Sequence, residues 1–236
     1  MPSSTYYAVL LALVLGVGCG SGKEKAASKT EAKADATPKA KVKTTPKVEA
    51  KKTEPTTVAP TKLITNLIVE KEIRSRIKKP TGELTEADLE KVTKLDLDKN
   101  QLTVVKGLEK LTQLKELNLM KNKLTSAKGL ENLTQLKYLS LRDNQLTDVK
   151  GLENLTQLEG LLLYDNKLTD VTGLEKLTQL TELRLDGNQL TDVKGLEKLT
   201  QLELLYLENN PELTKAQIDE LKKSLPNCNI RSNPTK

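Results

Sequence analysis

The sequence predicts an α/β solenoid, a stack of short units whose strands lie side by side in one curved parallel sheet, with a helix at each end. Three observations predict it. Asn100, Asn122, Asn144, Asn166, Asn188 and Asn210 recur every 22 residues, and Gly107, Gly129, Gly151, Gly173 and Gly195 keep the same interval. Before each Asn stands an L-x-L pair such as Leu117/Leu119 or Leu161/Leu163, whose period of two is that of a strand with one face buried. The 236-residue chain also has no Phe and no Trp, so its core must be aliphatic, which a repeating stack packs more easily than an irregular globule.

Taken in order, residues 1–18 read as a signal peptide. The run "AVLLALVLGVG" is too short to span a bilayer and is sized like the apolar region of a secretion signal. Its ending "LGVGC" resembles the bacterial lipobox, with Gly18 before Cys19. The resemblance implies that Cys19 is acylated, becomes the mature N-terminus and anchors the chain to a membrane. Gly20 rather than Asp in the next position resembles outer-membrane lipoproteins. Two features depart from the lipobox pattern: Gly16 stands where Leu is usual, with Leu15 one place back, and the first seven residues carry no Lys or Arg. The alternative is an ordinary signal cleaved near Gly18, which leaves a secreted or periplasmic protein.

Residues 19–60 comprise the Cys and a Lys/Ala/Thr/Pro-rich tether. After Cys19 this stretch has no Leu, Ile or aromatic residue, so it cannot bury enough apolar surface to offset its ordering entropy. It also explains the charge. The chain's net charge is +6, and residues 20–60 supply +5 of it, ten Lys against five acids. What remains is nearly neutral, which is too small a basic footprint for nucleic acid.

Residues 61–93 read as a helical N-terminal cap. One helix places Leu67, Ile68, Ile73 and Ile77 at roughly helical spacing behind Asn66 as N-cap, with Pro80 closing it. A second begins at Thr85, with Asp88 as the reciprocal partner of a capping box and Leu84 stapled to Leu89. Residues 94–213 are six repeats. In each, the L-x-L pair points inward, and the Asn satisfies backbone groups in the turn after the strand, with stacked copies bonding one another. The Gly permits a positive φ or a close backbone approach. Residues 214–236 form a second cap: Thr214 as N-cap with Gln217, Leu213 stapled to Ile218, and Ile218, Leu221 and Leu225 on one face. In "NCNI", Cys228 and Ile230 alternate inward as a final strand, Cys228 acting as a small hydrophobe.

Written out, one unit is L-T-Q-L-x-x-L-x-L-x-x-N-x-L-T-D-V-x-G-L-x-x, which matches the leucine-rich repeat consensus. It resembles the 22-residue repeats of the internalins over residues 66–236. The resemblance implies a curved solenoid with its sheet on the concave face and a role in binding protein or peptide ligands, without naming the ligand.

Enzyme chemistry finds little support. The chain has no His, which removes Ser-His-Asp and Cys-His catalysis and His-based metal sites, and Cys228 alone cannot hold zinc. No cofactor is implied. Asp148, Asp170 and Asp192 stack at one repeat position like a calcium ladder, but Ser126 holds that position in another unit, which favours capping of the following turn. Asp143 and Asp165, on neighbouring rungs, read as solvated charge rather than as a carboxylate pair for sugar hydrolysis.

The outward strand positions, where the consensus is silent, carry the functional expectation. All three Tyr beyond the signal segment fall there, Tyr138, Tyr164 and Tyr206, with Arg142 and Arg184 and the apolar Met120, Leu162 and Leu204, taken as exposed. Tyr and Arg are frequent interface anchors. Arg184 and Tyr206 are spaced for a cation–π pair, and Gly160 beside Tyr138 leaves a notch. The expected protein is a monomeric, non-enzymatic binding module of the bacterial cell envelope. The competing expectation is a structural spacer with no specific ligand.

Overall fold

The computed structural model describes residues 62–233. The signal segment, Cys19 and the tether lie outside the described residues. Seven short strands pair in parallel in chain order: β1 (Lys94–Asp96), β2 (Glu116–Asn118), β3 (Tyr138–Ser140), β4 (Gly160–Leu162), β5 (Glu182–Arg184), β6 (Leu204–Tyr206) and β7 (Asn229–Arg231). Leu95, Leu117, Leu139, Leu161, Leu183, Leu205 and Ile230 are successive register partners. From β1 to β6 each crossover returns the chain after one repeat, so the pleat of every strand arrives in phase. A leucine that points inward in one rung therefore does so in all of them. These side chains join one continuous aliphatic core running from Ile64 to Ile230. Burial of each is worth about 1.5–3 kcal/mol.

The repeated Asn stitch rung to rung. Asn166 Nδ2 donates to the carbonyls of Leu163 in its own rung, at 2.9 Å, and of Leu141 in the preceding one, at 3.0 Å, while its Oδ1 accepts from the Leu146 amide at 3.0 Å. Asn122, Asn144, Asn188 and Asn210 make the corresponding bonds. The partners are backbone groups of the Asn's own rung and of the preceding one. Stacked copies bond directly at the first pair, where the Asn100 main-chain amide donates to Asn122 Oδ1 at 3.1 Å; from Asn122 to Asn210 the expectation is otherwise corrected, each side-chain amide reaching the main chain of its own and the preceding rung.

The glycine column adopts φ between +96° and +109°. At Gly151 space adds a second constraint, since a Cβ there would lie 2.8 Å from the Ala127 carbonyl oxygen. The acid column caps turns as expected. Asp148, Asp170 and Asp192 accept from the amides of Lys150, Thr172 and Lys194, and Ser126 does the same for Lys128 at 3.2 Å.

Helices stand at both ends of the sheet. In α1 (Leu67–Ile77) the Asn66 side chain accepts from the amides of Ile68 and Val69. The buried residues are Val69 and Ile73, one turn apart, with Ile77 partly buried behind them. Leu67 and Ile68 were expected on this face. They instead project outward, Leu67 71% exposed, because Val69 and not Leu67 or Ile68 keeps the i, i+4 spacing with Ile73 and Ile77. The helix ends at Lys78 in the left-handed conformation, two residues before Pro80. The short α2 (Glu86–Leu89) carries the expected Thr85–Asp88 capping box, and α3 (Lys215–Ser224) the Thr214–Gln217 one. Ile218, Leu221 and Leu225 extend the core at that end, and Cys228 packs against it. Burial pushes the Cys228 thiol up to about 11, as suits a small hydrophobe rather than a nucleophile.

Candidate binding face on the parallel sheet

Each rung presents three outward positions, before, between and after its two core leucines. With rungs about 4.8 Å apart, a side chain at any of them is flanked by those of the rungs on either side. At the N-terminal end these neighbours pair locally. Lys94 Nζ lies 2.6 Å from Glu116 Oε1, and Asn118 Nδ2 donates to Asp96 Oδ1 at 2.9 Å.

Further along, five residues from successive rungs stack in alternation: Arg142, Tyr164, Arg184, Tyr206 and Arg231. The Arg142 guanidinium carbon lies 4.5 Å from the Tyr164 ring centroid, and that of Arg184 lies 4.2 Å from Tyr164 and 4.5 Å from Tyr206. Arg231 closes the row at 5.2 Å from Tyr206. Each such contact is worth roughly 0.5–2 kcal/mol, and more as it is desolvated. Arg184 is held further by Asp186, with Nε and Nη2 donating to its two oxygens at 3.2 and 3.1 Å. Arg142 Nε lies 3.0 Å from Asp143 Oδ2 without hydrogen-bond alignment, although both atoms are buried.

The expected Arg184–Tyr206 pair is thus present, as part of a longer row. Arg231 is an addition. The alternation that sends Ile230 inward also sends Arg231 outward, and this is the signal that finds it. Tyr138 stands apart from the row: its hydroxyl donates to Glu159 Oε2 on the next rung at 2.9 Å. Gly160, beside this contact, is buried, so the expected notch is not an open one. Met120, Leu162 and Tyr164 are corrected as well. They are 5%, 6% and 5% exposed, because side chains of the rungs above and below close over them. Leu204, Tyr206, Arg142, Arg184 and Tyr138 are partly exposed.

The acids of this face differ in environment. Burial raises the Glu182 carboxyl above its ordinary value, opposed by Arg184. Asp165 is exposed, as expected of solvated charge, with its carboxyl raised by partial desolvation and then by the neighbouring Asp143, whereas Asp143 is half-buried beside Arg142 and that part of the reading is corrected. Burial likewise raises the Tyr164 phenol, against the pull of Arg142 and Arg184. Among the described residues no cluster of three or more acids and cysteines could hold a metal ion, and no helix is long and apolar enough to cross a membrane.

A parallel sheet of stacked short strands, closed over an all-aliphatic core and carrying varied residues on its outward face, defines a repeat-built scaffold of the kind that mediates protein interaction. The family model described as leucine-rich repeats (two copies) matches residues 90–133, 134–176 and 178–223. The chain belongs to the leucine-rich repeat family. Its fold is similar to that of an internalin, InlF, from Listeria monocytogenes, at TM-score 0.58 and 22% identity over 77% of this chain and 68% of that one. It is equally similar to internalin C2 of the same organism, at TM-score 0.58 and 23% identity over 76% of this chain and 91% of that one. No curated protein sequence matches.

Proposed function

We propose that the chain is a protein-binding module that receives a protein or peptide partner on its concave face, presented from the bacterial cell envelope through an acylated Cys19. The single observation that carries the docking reading is the Arg142–Tyr164–Arg184–Tyr206–Arg231 row. A face that only completed a sheet would be served by short polar side chains, whereas this one concentrates the residue types that anchor interfaces. The buried members, Tyr164 with Leu162 and Met120, act as a rigid floor. Tyr206, Leu204 and the two guanidinium groups Arg142 and Arg184 form the reachable surface.

The second reading, a spacer with no specific ligand, has its own supporting observation. The row is internally satisfied, since Arg184 already holds Asp186 and two rings.

Affinity capture from envelope extracts separates the two. The mature chain is compared with the variant Tyr138→Ala, Tyr164→Ala, Tyr206→Ala, after circular dichroism has shown both folded. A partner retained by the parent and lost by the variant supports docking; identical captures support the spacer. Mass spectrometry of the mature N-terminus tests the anchor, which predicts a diacylglyceryl group on Cys19 and its loss in Cys19→Ser.

A further inference from the structure

Glu116 and Glu182 hold the same outward position three rungs apart, the first of each strand. Glu116 is neutralised by Lys94 on the adjoining rung, at 2.6 Å. The register neighbours of Glu182 are Gly160 on one side and Leu204 on the other, so no adjoining rung offers it a cation at that position. The nearby Arg184, on its own strand, is committed to Asp186 and to two tyrosine rings. Glu182 is nevertheless partly buried, and its carboxyl is raised by that burial. A partly desolvated carboxylate whose nearby cation, Arg184, is committed elsewhere gains from a further counter-charge.

The surroundings extend the imbalance. On rungs four to six, the outward positions hold Glu182, Asp186 and Glu208 against one cation, Arg184, and Glu159, Asp165 and Glu203 flank the strands. Lys137, from rung three, answers Glu159 at 2.6 Å. Rungs four to six therefore present more acid than base outward, with Arg231 on the adjoining seventh strand, an aliphatic wall at Leu204 and an aromatic one at Tyr206.

We infer that this half of the face takes a basic segment of a protein partner, with a lysine or arginine side chain seated on the Glu182 carboxylate and its methylene stem against Leu204. The inference rests on the concave face being the docking surface and names the chemistry of what docks there. A cationic head supplies that further counter-charge, and the apolar flank suits the stem that carries it.

The test uses the mature full-length chain, labelled with nitrogen-15, and two capped peptides: ALRLA and its counterpart with citrulline in place of arginine. The arginine peptide is expected to shift the amide resonances of Gly160, Glu182 and Leu204. Its affinity should drop ~10-fold or more on citrulline replacement and in Glu182→Gln, the order of one charge-assisted hydrogen bond. Glu116→Gln, at the same position of a paired rung, should leave binding unchanged. Equal binding of the two peptides, no binding of either, or full affinity in Glu182→Gln overturns the inference. Its failure is distinguishable from failure of the docking reading. A captured partner lost by the triple Tyr variant but kept at full affinity by Glu182→Gln removes the basic-segment inference alone, whereas a partner indifferent to the Tyr variant removes both.

Discussion

The asparagine column and the arginine–tyrosine row run along the same stack of strands, and both link each rung to the next, yet they differ in what they hold. Asn144 or Asn188 bonds main-chain amides and carbonyls, which recur in every rung at the same place. Only one side chain of the right length and inventory serves that geometry, so the copies are identical. Arg184 and Tyr206 bond other side chains. Nothing in the backbone demands their identity, and the same positions elsewhere hold Asp96, Asn118, Ser140 and Leu162. The column defines the stack, and the row varies on top of it.

The largest effect expected from this difference comes from the column. Asn166→Ala removes an acceptor for the Leu146 amide and a donor to two buried carbonyls, and should cost about 3 kcal/mol or more by urea denaturation, as each stranded buried group costs ~1–3 kcal/mol. Asn100, at the first rung, donates to its own rung's Asp98 carbonyl. Asn100→Ala should therefore cost about 1 kcal/mol, and equal losses at the two sites would show that inter-rung bonding is not what the column contributes.

Next in size is a pair of glycines. Gly151→Ala combines a positive φ with a clash against the Ala127 carbonyl, whereas Gly195→Ala meets nothing nearer than Glu175 Cβ at 3.5 Å. Thermal unfolding should rank Gly151→Ala as worse by roughly 1–2 kcal/mol, the conformational penalty being common to both.

Within the row, burial should divide residues that look equivalent in the sequence. Tyr164→Ala opens a hole between two guanidinium groups and should cost about 2–3 kcal/mol, while Tyr206→Ala, partly exposed, should stay within ~1 kcal/mol. Similar losses at both would mean that the row is no more packed at its centre than at its end.

The smallest effects are pH slopes of opposite sign. The Asp88 carboxyl is held far below its ordinary value by the Lys79 ammonium first, and then by the amide and hydroxyl of Thr85. Its contribution is complete above the unfolded value near 3.8 and is lost as pH falls below it, so Asp88→Asn should flatten the acid limb of a stability–pH curve. Glu182 is raised, so its ionisation opposes folding once pH exceeds its unfolded value of 4.5. Glu182→Gln should remove that downward slope and leave the protein no less stable at neutral pH. A steeper fall in the variant would mean that the carboxylate is paired after all.

Legibility in the sequence followed the same division. The helix caps at Asn66, Thr85 and Thr214, the inward leucines, the glycine conformations and the turn-capping acids all rest on local chemistry or on the repeat, and each could be read from spacing. The helix face of α1 was read less well. Val69, Ile73 and Ile77 share one face at i, i+4, i+8, whereas Leu67 and Ile68 lie about 240° and 140° round the helix from Ile73, so the strict helical period itself selects Val69. On the concave face, the outward direction of Tyr138, Tyr164 and Tyr206 was legible, but their exposure was not. Arg231 could be found by carrying the alternation one residue further.

From the sequence alone came the period, the parallel in-phase register and the columns of Asn and Gly, because these depend on backbone geometry that every 22-residue unit reproduces. The tertiary structure settled which outward side chains are floor and which are surface, that Arg142 and Arg184 enclose Tyr164, and that Glu116 meets Lys94 on the adjoining rung where Glu182 meets Gly160 and Leu204. Those outcomes depend on the reach of side chains from adjacent rungs, and a position's neighbours there lie a full repeat away in the chain, where no local pattern ties one residue's identity to the other's.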